Sequence, residues 1–255
     1  MNLYESIYVR KSVRHFKMET INQEVIEKLK NFIAQIDSLF PEIKTKVEIL
    51  DNINKKEKLK GMLVPSAPYY LVIYSEEKEK YDLNAGYIME QISLYMTSKG
   101  IGSCFLGMAK SPKQTEENEL HFVIGMAFGM PKGEAIRHDY EAKRLSLEEL
   151  CVFKETPKTW VKEILEAARL APSSFNSQPW RFVVYENRIH VFSKKAPSSK
   201  KNHGKYNEFN FGVMLANISI AAEEIWVDLD LIKLNNITHK TIPNNQYVIS
   251  ILIKQ

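Results

Sequence analysis

Apolar residues fall at helical spacing along residues 160–170 (WVKEILEAARL), where Val161, Ile164, Leu165, Ala168 and Leu170 share one stripe and Pro172 cannot continue the helix. The pattern predicts a helix over residues 157–170. The same reading predicts helices over residues 21–40, 84–99, 112–118 and 209–224. Residues 84–99 are apolar on several faces, with Ile88, Met89, Ile92, Leu94, Tyr95 and Met96, which suits a central buried helix. Short runs rich in β-branched and aromatic residues predict strands over 69–74, 122–129, 181–185, 188–192 and 246–253. Helices and strands therefore alternate along the chain.

Composition narrows this picture. With 255 residues, 44% hydrophobic content and no Pro/Gly/Ser-rich linker, we expect one continuous core rather than tethered domains. The net charge of +4 comes from 35 basic and 31 acidic residues that are dispersed, which argues against a nucleic-acid footprint. One basic, turn-rich run, residues 194–205 (KKAPSSKKNHGK), reads as an exposed loop. Cys104 and Cys151 are the only cysteines and form no C-x-x-C or Cys/His cluster, so neither a zinc site nor a disulfide framework is expected. No apolar run is long enough for a membrane span and no leader-like segment opens the chain, so the expected location is the cytoplasm. The six histidines are scattered; His15, beside Arg14, fits surface or structural duty, and no nucleophile–base–acid triad emerges, so no catalytic residue is assigned.

Four segments carry candidate chemistry. Residues 171–180 (APSSFNSQPW) place Ser173, Ser174, Asn176, Ser177 and Gln178 between a helix and a strand, where they can donate and accept hydrogen bonds. By composition this is either an ordinary loop that satisfies its own backbone or a seat for something planar and polar. Residues 10–16 (RKSVRHF) combine Arg10, Lys11, Ser12 and Arg14, and residues 99–107 (KGIGSCFLG) follow the central helix. Lys143 and Arg144 form a fourth, basic element.

Together these segments resemble the FMN-dependent nitroreductase family, with its R-x-S-x-R segment, its A-P-S-x-x-N-x-Q-P-W-like loop, its glycine turn and its basic tail. The resemblance implies an α+β sandwich of mostly antiparallel sheet flanked by helices, with FMN as cofactor and NAD(P)H as electron donor. It assigns Arg10, Lys11, Ser12 and Arg14 to phosphate or flavin, with Lys143 and Arg144 completing a phosphate clamp. Arg14 is the expected electrostatic tuner near the N1/O2 edge. Pro172, Ser173, Ser174, Asn176 and Gln178 are assigned to the ring or its ribityl edge, and backbone groups of Gly100, Ile101 and Gly102 to the N5/O4 side.

The order of these motifs departs from the family, because the polar loop arrives after the basic tail. Internal self-similarity accounts for this: Gly86, Gln91, Ile92, Ser93 and Leu94 recur as Gly212, Asn217, Ile218, Ser219 and Ile220. We therefore expect two nitroreductase-like halves, 1–142 and 143–255, as a fused intramolecular pseudo-dimer. In the first half the polar loop's place is read at residues 63–70 (LVPSAPYY); in the second, the place of R-x-S-x-R is read near residues 147–151 (LEELC) and the glycine turn at residues 224–228 (EIWVD). Each half lacks what the other keeps, so one FMN per chain is expected. The activity implied is electron transfer from NAD(P)H through flavin to a small acceptor such as a nitroaromatic or quinone, in a ping-pong cycle. The alternative is a flavin-binding storage or redox-sensing protein without efficient turnover. A monomer is expected, open to further dimerisation, with no metal, nucleic acid or membrane partner.

Overall fold

A computed structural model describes residues 1–110, 119–194, 206–235, 237 and 245–254. The chain divides into two compact units, Met1–Ala142 and Lys143–Gln255. The helix expected over residues 112–118, and all of the basic run after Lys194, lie outside the described residues.

In the first unit α1 (Leu3–Val9) starts with a capping box between Asn2 and Glu5, and α2 (Gln23–Gln35) is capped by the Asn22 side chain. A four-stranded antiparallel sheet has the order β1-β3-β6-β4, built from β1 (Thr45–Asp51), β3 (Tyr69–Ser75), β4 (Gly102–Leu106) and β6 (His121–Gly129). A small ribbon pairs β2 (Lys60–Gly61) with β5 (Ala109–Lys110). Every residue of the central strand β3 is buried, as its run YYLVIYS requires. The central helix α3 (Tyr81–Ser98) runs between β3 and β4 in the chain.

The second unit contains α4 (Leu147–Leu150), β7 (Cys151–Phe153), α5 (Thr159–Leu170), β8 (Trp180–Val184), β9 (Arg188–Lys194), α6 (Asn207–Glu224), β10 (Asp228–Ile232) and β11 (Asn245–Lys254). Its sheet order is β10-β11-β9-β8-β7, antiparallel except where β7 runs parallel to β8. The stripe Val161, Ile164, Leu165 and Ala168 is buried, and α5 packs on α6. The fold is thus mixed α+β with mostly antiparallel sheets.

The two units share a strand order. Read from β1, the first sheet's order β1-β3-β6-β4 matches β8-β9-β11-β10 in the second. Helices α3 and α6 are both 18 residues long, and α6 begins and ends 126 residues later (207 − 81 and 224 − 98). Strand β10 follows β4 at the same interval (228 − 102). A one-residue bulge interrupts β6 between Phe122 and Ile124, and another interrupts β11 between Tyr247 and Ile249.

This plan corrects three expectations. Helix α2 stops at Gln35 instead of reaching Phe40, because Ile36 turns extended. The segment that stands before β1 as the polar loop stands before β8 is residues 36–44 (IDSLFPEIK), not residues 63–70: Ile36 and Ala171 are both helix C-caps, and 171 − 36 equals 180 − 45. Of residues 63–70, the first six instead lead into β3, whose counterpart in the strand order is β9, and Tyr69 and Tyr70 open that strand. Strand β1 lies between the two segments, and the charged residues in its sequence TKVEILD break up the apolar pattern that would mark it as a strand. The glycine turn, finally, also contains strand β4, which begins at Gly102.

Candidate functional site

In the first unit, residues 10–16 are held as a rigid strip. The Val13 N–H donates to Ser103 O at 2.8 Å, and bridges join Arg10 to Ile136, Ser12 to Ser103 and Phe16 to Pro131. Val13 and Phe16 are buried in the core with Tyr70, Val72 and Leu106. Arg14 and His15 consequently face water, while Lys11 and Ser12 are half-buried. Arg10 departs from a surface clamp: its side chain is 4% exposed, and its Nε lies 3.7 Å from Oε1 of the fully buried Glu90. A buried guanidinium needs such a counter-charge. Arg137 fixes Arg10 from behind, donating Nε to Arg10 O at 3.0 Å and Nη2 to Ile7 O at 3.3 Å. Arg10 Nη1 is buried and makes no hydrogen bond among the described residues.

The turn after α3 is a helix cap. Gly100 has φ +72°, its N–H donates to Thr97 O, and the Ile101 N–H donates to Met96 O, the two bonds of a Schellman motif. The N–H groups of Gly100 and Ile101 are therefore already engaged. Gly102 has a packing reason of its own: a Cβ there would lie 2.8 Å from Val13 Cβ and Cγ2. In the second unit the same two bonds run from Trp226 to Glu223 and from Val227 to Ala222, and Trp226 holds the left-handed position with φ +59°.

The Cys104 thiol, on β4, is pushed up by burial, against smaller opposing effects of Arg14, Arg10 and Ser12. Cys151 follows α4 as Arg10 follows α1. Burial, and then the Glu148 carboxylate, push its thiol up to about 12.

In the second unit the polar loop and the basic tail come together. Arg144 Nη1 donates to Asn176 Oδ1 at 2.8 Å, Asn176 Nδ2 donates to Lys143 O at 2.8 Å, and the Leu145 N–H donates to Gln178 Oε1 at 2.7 Å. Arg169 of α5 adds a bond from Nη1 to Leu145 O at 3.3 Å and pairs with Glu166. Ser173 Oγ accepts the Gln178 N–H at 2.9 Å, while the Ser174 N–H donates to Asn210 Oδ1 at 3.0 Å. Pro172 and Gln178 are buried and Asn176 is exposed. Phe175, Asn176 and Gln178 all have positive φ (55°, 53° and 43°), three of the seven such non-glycine residues among the described ones. Left-handed backbone costs a non-glycine residue about 1–2 kcal/mol, so this strain is concentrated in one short loop and held by the strap at residues 143–145. Ser177 Oγ and Asn210 Nδ2 are buried without a hydrogen-bond partner among the described residues.

Each unit's donors, taken by itself, suit an acceptor-rich, anionic group such as a flavin in kind. In the first unit Arg10 Nη1 is a buried donor that calls for an acceptor, and Lys11 and Arg14 are positively charged; in the second, Asn210 Nδ2 is a buried donor, and Lys143 and Arg144 are positively charged. Among the described residues, no group of three or more His, Cys, Asp or Glu side chains is placed to hold a metal ion, and no helix is long and apolar enough to cross a membrane. Sequence reasoning missed Glu90, Arg137 and Asn210. The signal for Glu90 and Asn210 was a polar residue inside an otherwise apolar helix.

The model of the family described as "Putative TM nitroreductase" matches residues 2–222, and the protein belongs to that family, which places it among nitroreductase-family oxidoreductases. A putative nitroreductase from Thermotoga maritima shares 21% identity and a TM-score of 0.68, covering 99% of this chain and 94% of that one, which establishes the common fold. An oxygen-insensitive NADPH nitroreductase of Helicobacter pylori is 43% identical over 56 residues, 20% of this chain and only 27% of that protein. A putative nitroreductase in complex with FMN from Desulfovibrio desulfuricans is 17% identical, with a TM-score of 0.47 over 58% of this chain and 94% of that one.

Proposed function

We propose that the protein is an FMN-dependent oxidoreductase that passes electrons from NAD(P)H to a small acceptor such as a nitroaromatic or quinone, with one FMN per chain. The observation that carries this reading is the loop at residues 171–180, where three left-handed residues are braced by the strap at residues 143–145. Strained backbone persists where the surrounding structure holds it and clusters at ligand-binding sites, and here three strained residues fall within four positions. When bound, FMN supplies the two-electron carriage that side chains lack.

The chain's own residues bind and orient. Lys11, Arg14, Lys143 and Arg144 neutralise the phosphate or the electron-rich ring edge, and Ser12 adds a short donor. Arg10 contributes through Nη1, since its Nε faces Glu90. Pro172, Ser173 and Ser174 meet the ring or its ribityl edge. Asn176 and Gln178 act through the strap they hold, and Gly100, Ile101 and Gly102 shape the turn. We further propose that the shared strand order reflects a fused pair of nitroreductase-like halves, 1–142 and 143–255. The support is that residues 36–44 carry Asp37 and Glu42 where residues 171–179 carry Ser, Asn and Gln, and that Cys151 stands where Arg10 stands.

The test is to purify the protein, look for flavin absorbance, and titrate it anaerobically with NADH and with NADPH. Bleaching by either donor, reversed by a quinone, is the expected result. Protein that is colourless and takes up no added FMN would overturn the proposal, and bound FMN that neither donor reduces would point to storage or sensing.

A further inference from the structure

The contrast between two asparagines at matching places, Asn84 in α3 and Asn210 in α6, carries an inference that rests on the flavin reading above. Each is the fourth residue of its 18-residue helix, and each is buried, at 0% and 1% exposure. Each pins the loop that precedes the first strand of its unit's four-strand plan. In the first unit both ends of the amide are taken: Asn84 Oδ1 accepts the Phe40 N–H at 3.0 Å, and Nδ2 donates to Phe40 O at 3.4 Å.

In the second unit only one end is taken. Asn210 Oδ1 accepts from the Ser174 N–H at 3.0 Å and from Ser174 Oγ at 3.3 Å. The backbone N–H of Ser174 can only donate, so the oxygen must be the end that faces it; a flipped amide would set donor against donor. That fixes Nδ2, with two N–H bonds, in a buried position without an acceptor among the described residues. An unsatisfied buried donor is costly, and the first unit shows that this architecture can satisfy it.

We infer that Asn210 is a further ligand-binding residue: its Oδ1 positions Ser174 and its Nδ2 donates to an acceptor atom of the flavin held by residues 171–180. The difference between the units is then functional. The loop in the first unit closes on itself through Asn84, whereas the loop in the second leaves a donor for a ligand.

Asn210→Asp keeps the acceptor toward Ser174 and removes the donor, with Asn84→Asp as the control. The readouts are the Kd for FMN, from fluorescence quenching on titrating apo-protein, and the Tm of the apo-protein. Wild type is expected to bind FMN; Asn210→Asp is expected to raise Kd about 10- to 100-fold, the loss of one buried hydrogen bond, with little change in Tm. Asn84→Asp is expected to lower Tm and leave Kd unchanged. Equal FMN affinity in wild type and Asn210→Asp overturns this inference alone, whereas a wild type that binds no FMN overturns the flavin reading and this inference with it. Should Asn210→Asp not fold, the side-chain NH2 resonances of Asn210 in wild type decide: a shift on adding FMN supports the contact, and no shift overturns it.

Discussion

At the scale of single residues, Trp226 and Cys151 show how the second unit departs from the first. Trp226 sits at the C′ position of α6 with φ +59° and is 95% exposed, so it bears left-handed strain and contributes almost no packing. Its counterpart after α3 is Gly100, which adopts φ +72° without that penalty. Trp226→Gly is therefore expected to stabilise the protein by about 1 kcal/mol, read as a higher urea midpoint; a lower midpoint would mean that the indole packs against something. Cys151 yields a pH prediction. Its thiol holds its proton up to about 12 in the fold, against an ordinary value of 9.0. The folded state therefore binds that proton more tightly than the unfolded chain does. The associated stability is intact below about pH 9 and is lost as pH rises toward about 12. Cys151→Ser is expected to flatten the alkaline arm of a stability–pH curve, and the wild-type thiol is expected to resist alkylation at pH 8 until the protein unfolds.

At the scale of elements, the strip at residues 10–16 depends on β4. Gly102 leaves room for Val13, and a Cβ placed 2.8 Å from the valine side chain must move the strip or the strand. Gly102→Ala is expected to cost about 1–3 kcal/mol and to weaken FMN binding, whereas the same change at Gly133, where an added Cβ meets nothing within 4 Å, should leave both unaltered. Calorimetry and FMN titration of the two variants check this. The helices and central strands were legible from periodicity because they are buried and apolar: α3, α5, α6, β3 and β9 lie within a few residues of where the pattern puts them. The edge strands were not. Strand β1 (TKVEILD) and strand β10 (DLDLI) are mostly half-buried and mix charged with apolar residues, so no long apolar run marks them. The site divided in the same way. Contiguous motifs such as APSSFNSQPW could be read directly, but the partners that orient them, Glu90 for Arg10 and Asn210 for Ser174, lie 80 and 36 residues away and declare themselves only through contact.

At the scale of the whole molecule, the unequal chemistry of two similar units bears on stoichiometry. At the matching places after α1 and α4, one unit holds Arg10 and the other the neutral Cys151; of the two loops, one carries Ser, Asn and Gln and the other carries Asp37 and Glu42. Carboxylates in that loop oppose the binding of an anionic cofactor. Titration of the apo-protein with FMN is expected to saturate at one equivalent per chain, and two equivalents of equal affinity would refute the lost-site argument.

The matching bulges have a practical consequence. From the start of the central helix to the bulged strand, the first unit's block and the second unit's block differ by a single residue in spacing, since Tyr81 precedes Asn207 by 126 and Phe122 precedes Tyr247 by 125. A stretch so nearly invariant in length behaves as an interchangeable cassette. Chimeras that carry either block in both places need almost no rebuilt connections, and they offer a direct route to learning how a sheet with one set of registers tolerates two different surfaces.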